Sequence, residues 1–363
     1  MRTCIYLKKS EPEVSFCSKE HIVPAGIGGM MTLDYGIVSD EANKKFSSLE
    51  LDFIRNSPIS LPRQFFGPGK RGKLAILRAS KSNIHIMNDD KGNTSLGYIQ
   101  LGKPHQIPQL IVEADNSVKM IFDASAGSIG YQKQLEEFKR DLKDFNGVYM
   151  SIDKKEFDDV QLIIGYLGGK WYIARNENMD DEKLNSIILK ISNINFEITA
   201  PPLTHSSQIT SIQHMAFSHE YFFRVCSKMV FNFLAYANGP EFVFRDIFDP
   251  IRNWITNGGE NVFANLIDPQ DSAAFKKLPF PSEAHTILIM PMGTKLVGFV
   301  GLYGNSFSVV ISICNDFKEY FGLNGWICDW RNKRENFLED YIGSMYRDSM
   351  LHGADVESGL SLF

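Results

Sequence analysis

Residues 212–237 carry Met215, Phe222, Phe223, Val225, Met229, Val230, Phe233 and Leu234, an apolar set that covers most of a helix's circumference. Such a helix is stable in water only when other elements surround it. The remainder of the chain must therefore supply a core on nearly every side. At 363 residues there is enough chain for two or three such cores. A hydrophobic content of 44% with 22% charged residues is ordinary for a globular protein in water. No run approaches the ~18 uninterrupted apolar residues of a membrane helix, and the first residues lack the apolar stretch of a signal peptide. The expectation is a soluble cytoplasmic protein without a membrane partner. The five cysteines (Cys4, Cys17, Cys226, Cys314 and Cys328) form no Cys-x-x-Cys pair. They read as reduced, mostly buried thiols.

The pattern of elements is α+β, with expected divisions at 1–65, 66–202 and 203–363. In the first region Ile22-Val23 reads as a short strand piece and 24–35 as a glycine-rich loop. A helix follows from about Asp40, with Ser39 as its cap and Asp40 and Glu41 at the positive end of its dipole. Ala42, Phe46, Leu49 and Phe53 recur at helical spacing and make one apolar stripe, and Pro58 and Pro62 stop the helix from continuing. The Gly- and Pro-rich run 66–73 reads as a linker. A mostly antiparallel β region follows, with strands at 74–77, 83–87, 96–100, 110–113 and 118–122. A charged helix at 131–145, a hairpin across Leu167-Gly168-Gly169, a helix at 181–192 and a strand at 196–199 complete it. Pro201-Pro202 marks the second boundary. The last region holds the apolar helix, a second helix with Phe242, Phe244, Ile247, Phe248, Ile251 and Trp254, a three-stranded meander at 285–290, 296–302 and 306–313, and a charged helix from about 330.

The chemistry concentrates near the start. Glu20-His21-Ile22-Val23-Pro24 is followed by Gly28-Gly29 and then by Asn43 in the first turns of a helix. Hydrolysis of a phosphodiester needs a base for water, a cation for the phosphate and the leaving oxygen, and a frame that orients both. Glu20 offers a hard oxygen for Mg²⁺ or Mn²⁺ and Asn43 a neutral amide oxygen. His21, with an ordinary pKa of about 6.5, suits the base at neutral pH. Neighbouring side chains on an extended segment diverge, so Glu20 and His21 can address different groups.

These residues resemble the HNH endonuclease superfamily, in the branch with a Glu-His-Ile-Ile-Pro segment, a Gly-Gly loop and a later Asn. Glu20-His21-Ile22-Val23-Pro24, Gly28-Gly29-x-x-Thr32-Leu33 and Asn43-Lys44-Lys45-Phe46 match in order and approximate spacing. The resemblance implies an N-terminal ββα-metal finger, with Glu20 and Asn43 as metal ligands and His21 as base. The family's middle Asn, which positions the base, has no identical residue, and Asp34 falls nearest in spacing. Many relatives also hold a zinc ion on two Cys-x-x-Cys pairs. Here Leu7, Val38 or Ser39, and Ala42 stand at those positions, so no structural zinc is expected and packing must replace it. Further on, 227–235 and 251–258 resemble helices found downstream in long HNH proteins.

Residues 1–81 hold 13 Lys and Arg against 8 Asp and Glu, which leaves 25 against 35 for the remainder. The basic excess sits with the motif, as expected of a segment that approaches DNA phosphates. Lys44, Lys45, Arg55, Arg63, Lys70, Arg71 and Lys73 are the candidate phosphate contacts, with solvated surface charge as the competing reading. The acidic remainder suits sensing, oligomerisation or docking of a regulatory protein or small signal better than sequence readout. The leading expectation is a metal-dependent DNA endonuclease, regulated as in bacterial defence or restriction systems. A degenerate finger that binds DNA or assembles, and a ribonuclease, are the alternatives.

Overall fold

The computed structural model describes residues 2–67, 81–90, 92–122, 127–143, 150–154, 160–176, 179–193, 209–213, 219–267 and 280–352. The architecture is mixed α+β, with eight α-helices and three sheets among the described residues. The chain groups into two compact units, residues 1–79 with 218–363, and residues 80–217. The residues of the first expected region and those from 218 onward in the third thus fall in one unit, while Ile209–Gln213 groups with the middle region. The strands expected at 74–77 and 196–199, most of the 66–73 run and Pro201-Pro202 lie outside the described residues.

Residues 2–67 carry a 3-10 turn at Ala25–Ile27 and helices α1 (Asp40–Asn56) and α2 (Ser60–Phe66). Ser39 caps α1 by accepting the Ala42 N–H, and the buried residues of α1 are Ala42, Phe46, Leu49 and Phe53, as the stripe predicts. No regular strand forms ahead of α1 among these residues. In place of the expected ββα finger, 20–22 and 31–33 meet through one isolated antiparallel bridge between His21 and Thr32.

In the unit 80–217, a four-stranded antiparallel sheet runs β3-β2-β1-β9. Its strands are β1 (His85–Asp89), β2 (Thr94–Gln100), β3 (Lys103–Gln106) and β9 (Ile209–Gln213). A five-stranded sheet runs β5-β4-β7-β8-β6, from β4 (Gln109–Glu113), β5 (Val118–Ile121), β6 (Met150–Lys154), β7 (Val160–Leu167) and β8 (Lys170–Asn176). Every pairing is antiparallel except β6 with β8. Alternation along the strands divides the apolar residues between two faces. Leu110, Leu162, Ile164 and Ile173 pack with Leu135 and Phe138 of α3 (Gly127–Lys143) and Leu184 and Ile188 of α4 (Asp181–Asn193). Ile111, Ile163 and Ala174 pack on Ile86 and Leu96 of the other sheet. Strand β3 escapes a propensity reading because it contains Lys103 and Pro104, which an edge strand tolerates.

The other unit is built on a six-stranded antiparallel sheet, ordered β10-β13-β12-β11-β14-β15. The strands are β10 (Ala264–Leu266), β11 (His285–Met292), β12 (Lys295–Leu302), β13 (Phe307–Cys314), β14 (Asn324–Asp329) and β15 (Arg334–Phe337). Helix α5 (His219–Asn238) packs against this sheet and against α1. Every residue from 222 to 235 in it is buried, as its apolar circumference requires. Three expectations change here. The helix starts at His219, because Ile212 belongs to β9, paired with Met87. The second helix is broken into α6 (Pro240–Val243), a 3-10 turn (Asp246–Phe248) and α7 (Asp249–Asn257). Pro250 sits in the first turn of α7, where its missing N–H is harmless, and so it starts a helix rather than continuing one. The charged run near 331 is a turn, with Asn332 on the Asp329 carboxylate, that leads into β15. The last helix, α8 (Leu338–His352), follows it. Among the described residues no helix is long and apolar enough to cross a membrane.

Candidate functional site

Ile22 N–H donates to the Met31 carbonyl at 3.0 Å and Leu33 N–H to the Glu20 carbonyl at 2.8 Å, on either side of the His21–Thr32 bridge. The chain between them turns back through Pro24 and the 3-10 turn. It ends on Gly28, which takes the left-handed conformation (φ 102°) that favours glycine. Gly29 is required for a different reason: a Cβ there would lie 1.8 Å from the Val23 carbonyl oxygen. The loop is fastened from the other end of the chain. Glu335 of β15 accepts the N–H groups of Met30 (2.9 Å) and Met31 (2.8 Å), and His285 of β11 meets the Ile27 carbonyl at 3.0 Å. Tyr303 N–H donates to His285 Nδ1 at 3.2 Å, so Nε2 carries the proton that Ile27 accepts and the ring is neutral. Burial pulls the pKa of His285 down to about 4.

Helix α1 fixes the segment ahead of Glu20. The Asp40 carboxylate accepts from Ser18 Oγ and N–H, Ser15 Oγ and Cys17 N–H. The Ser18 and Ser15 hydroxyls above all hold its pKa well below the usual carboxylate range. This stapling determines how Asn43 points. Ser18 has one hydroxyl proton and gives it to Asp40, so toward Asn43 it can only accept. Asn43 therefore presents its NH₂ to Ser18 Oγ at 2.8 Å, and its carbonyl oxygen faces away. That oxygen is buried and has no hydrogen-bond partner among the described residues.

Glu20 is buried, and its Oε1 binds the Lys228 ammonium of α5. Lys228 also binds Glu50 of α1 at 2.6 Å and lies 5.4 Å from the Phe46 ring centroid. Burial raises the pKa of Glu20, while the charge on Lys228 opposes it and that on Glu50 reinforces it. Burial alone would lower the pKa of Lys228, but the two carboxylates raise it and keep the ammonium charged. One turn further along α5, Asn232 donates to the His21 carbonyl at 2.8 Å and accepts from the Tyr6 hydroxyl at 2.6 Å. Burial, with the nearby Glu20 carboxylate, raises the pKa of Tyr6 and preserves that donor. Side chains alternate along an extended segment, so with Glu20 turned to α5 the half-buried His21 ring lies on the other side.

The remaining candidates are more scattered. Asp34 is exposed, two residues beyond Thr32, and its carbonyl accepts the Ile37 N–H. Lys44 and Arg55 are exposed on α1, whereas Lys45 binds Asn257 at 3.2 Å. Arg63 turns inward and donates to the Gly26 carbonyl at 3.0 Å, so it serves the loop's shape. Lys70, Arg71 and Lys73 lie outside the described residues. Among the described residues no group of three or more His, Cys, Asp or Glu assembles into a set that could hold a metal ion. Cys4, where the zinc cysteines of relatives begin, is a buried free thiol whose sulfur accepts the Ser39 N–H at 3.3 Å.

Lys228, Asn232, Glu50, Tyr6, His285 and Glu335 surround the motif without being expected there from the sequence. The first two share a spacing of four with Arg224 on a largely apolar helix, which marks a polar row and names no partner for it. Comparison of the chain with family models, with curated proteins and with solved structures returned no match.

Proposed function

We propose that this chain is a metal-dependent endonuclease of the HNH type, acting on DNA through Glu20, His21 and Asn43. The observation that carries the reading is the Asn43 amide. Its orientation is dictated by Ser18 and Asp40, and its buried carbonyl oxygen has no partner among the described residues. An unpartnered buried carbonyl loses hydration without compensation, and a hard cation such as Mg²⁺ or Mn²⁺ would supply what it lacks. Glu20 would be the second ligand, through its carboxylate beside the bond that Lys228 makes to Oε1. A Glu–Asn pair would leave the other coordination positions to water and phosphate oxygens. When bound, the ion would neutralise charge on the phosphate and on the departing oxygen.

The chain's own residues do the rest. His21 accepts the proton of the attacking water, from the opposite side of the segment to Glu20. The backbone bridge to Thr32 and the Asn232 bond to its carbonyl hold the residue in place. The test is cleavage of supercoiled plasmid with Mg²⁺ or Mn²⁺. Nicking or linearisation that disappears in His21→Ala is expected, and equal activity in that variant would refute the assignment.

A second reading has an observation in its favour. The ammonium of Lys228 already neutralises Glu20, as it would in a degenerate finger that binds DNA or assembles without cutting. That reading expects no cleavage with any divalent ion and DNA binding unchanged by Glu20→Gln.

A further inference from the structure

We infer that Lys228 and Asn232 are positioning residues, which set the geometry of the proposed site from the far end of the chain. This inference rests on the nuclease reading for its catalytic readouts. Lys228 and Asn232 are buried with Arg224 and Ser227 in a mostly apolar helix, and burying a lysine and an asparagine there is costly unless both are bonded. Lys228 has a side-chain exposure of 1% and Asn232 is wholly buried. Both are spent on two consecutive residues of the motif. Lys228 holds the side chain of Glu20, and Asn232 holds the backbone of His21.

The second bond of Lys228 gives the arrangement its purpose. Glu50 lies on α1 seven residues after Asn43, two turns along the same helix. The ammonium therefore ties Glu20 to the helix that carries Asn43, and so fixes the separation of the two proposed metal ligands. Phe46, one turn after Asn43, packs under the ammonium and against Tyr6 at 4.6 Å. The His21 carbonyl can only accept, so it takes the Asn232 NH₂, and the Asn232 oxygen that is left accepts from the Tyr6 hydroxyl. Lys228 is too deeply buried to touch a polymer substrate, which excludes it as a catalytic residue.

The experiment uses the full-length chain and the variants Lys228→Arg, Lys228→Met and Asn232→Ala. Plasmid cleavage is followed as a function of DNA and Mn²⁺ concentration. Amide hydrogen exchange at residues 20–33 gives a readout that needs no cleavage. Lys228→Met is expected to lower turnover by about a hundredfold, the cost of a ~1 Å misplacement. It should raise the Mn²⁺ concentration at half-maximal activity and leave KM for DNA within about twofold. Lys228→Arg, which keeps the charge, is expected to recover at least a tenth of the wild-type turnover, roughly a tenfold gain over Lys228→Met. Asn232→Ala should speed exchange at residues 20–33 by about tenfold while α8 stays protected. Wild-type turnover and Mn²⁺ dependence in Lys228→Met, or unchanged exchange in Asn232→Ala, would overturn the inference. If Lys228→Met does not fold, a Lys228→Arg protein with wild-type KM and no recovered turnover or Mn²⁺ affinity overturns it as well. A wild-type chain that never cleaves removes the nuclease reading instead, and Mn²⁺ binding with the exchange data then decides on positioning.

Discussion

His285 makes stability depend on pH in a way that can be worked out from its two bonds. The ring is buried and neutral, with Nδ1 accepting from Tyr303 and Nε2 donating to Ile27. Protonation would add a hydrogen at Nδ1, where Tyr303 N–H already points, and would bury an unpaired charge. The folded pKa accordingly drops from 6.5 to about 4. Below about 6.5 the unfolded chain takes up a proton that the folded chain refuses, so stability falls with pH until the folded pKa is passed. The full loss is about 3 kcal/mol, of which about 2 kcal/mol has gone by pH 5. Urea unfolding of the wild type and of His285→Gln at pH 7.5 and 5.0 isolates this contribution. Glutamine does not titrate, and other groups affect both proteins alike. The wild type is expected to lose about 2 kcal/mol more than the variant between the two pH values. Equal losses would refute the buried neutral ring, and with it the clamp between β11 and the glycine loop.

Three further outcomes are expected. Gly29→Ala drives a methyl group into the Val23 carbonyl, so backbone must move, and a loss of about 3 kcal/mol or failure to accumulate as folded protein is expected by thermal melting. Glu335→Gln leaves one acceptor oxygen for two N–H groups, which should cost about 1–2 kcal/mol and raise hydrogen exchange at Met30 and Met31 specifically. Asn43→Ala gives up one bond to Ser18 but removes a buried carbonyl that has no partner among the described residues, so unfolding should change by less than about 1 kcal/mol. Calorimetric Mn²⁺ binding should weaken at least tenfold in the same variant, about 1.4 kcal/mol or more, and unchanged Mn²⁺ affinity would contradict the proposed role of its oxygen.

The parts that could be read from sequence are those governed by local rules. The cap at Ser39 and the stripe from Ala42 to Phe53 follow from helix geometry, and strands such as β2, β4 and β12 follow from their β-branched and aromatic residues. The failures share a cause in long-range context. Arg334–Phe337 is a strand only because β14 is there to pair with it, and β3 tolerates Pro104 only because it lies at an edge. In the site, the glycine turn follows local rules, while the pointing of the Asn43 amide depends on Ser18, 25 residues earlier. The partners of Glu20 and His21 were not legible, because Lys228 and Asn232 stand 208 and 211 residues away. Periodicity shows that α5 is buried, but a polar residue on a buried helix does not announce which acid it meets.

That separation also has a consequence in time. A ribosome adding roughly 5–20 residues per second needs about 10–40 s after Glu20 to reach Lys228. Throughout that interval Glu20 and Glu50 lack their ammonium, the His21 carbonyl lacks its donor, and the glycine loop lacks the fastenings that β11 and β15 supply. Any chemistry that depends on this segment being in place therefore starts only once the far end of the chain has been made and has folded back. Chains truncated before α5 would carry every residue of the motif without the means to arrange them.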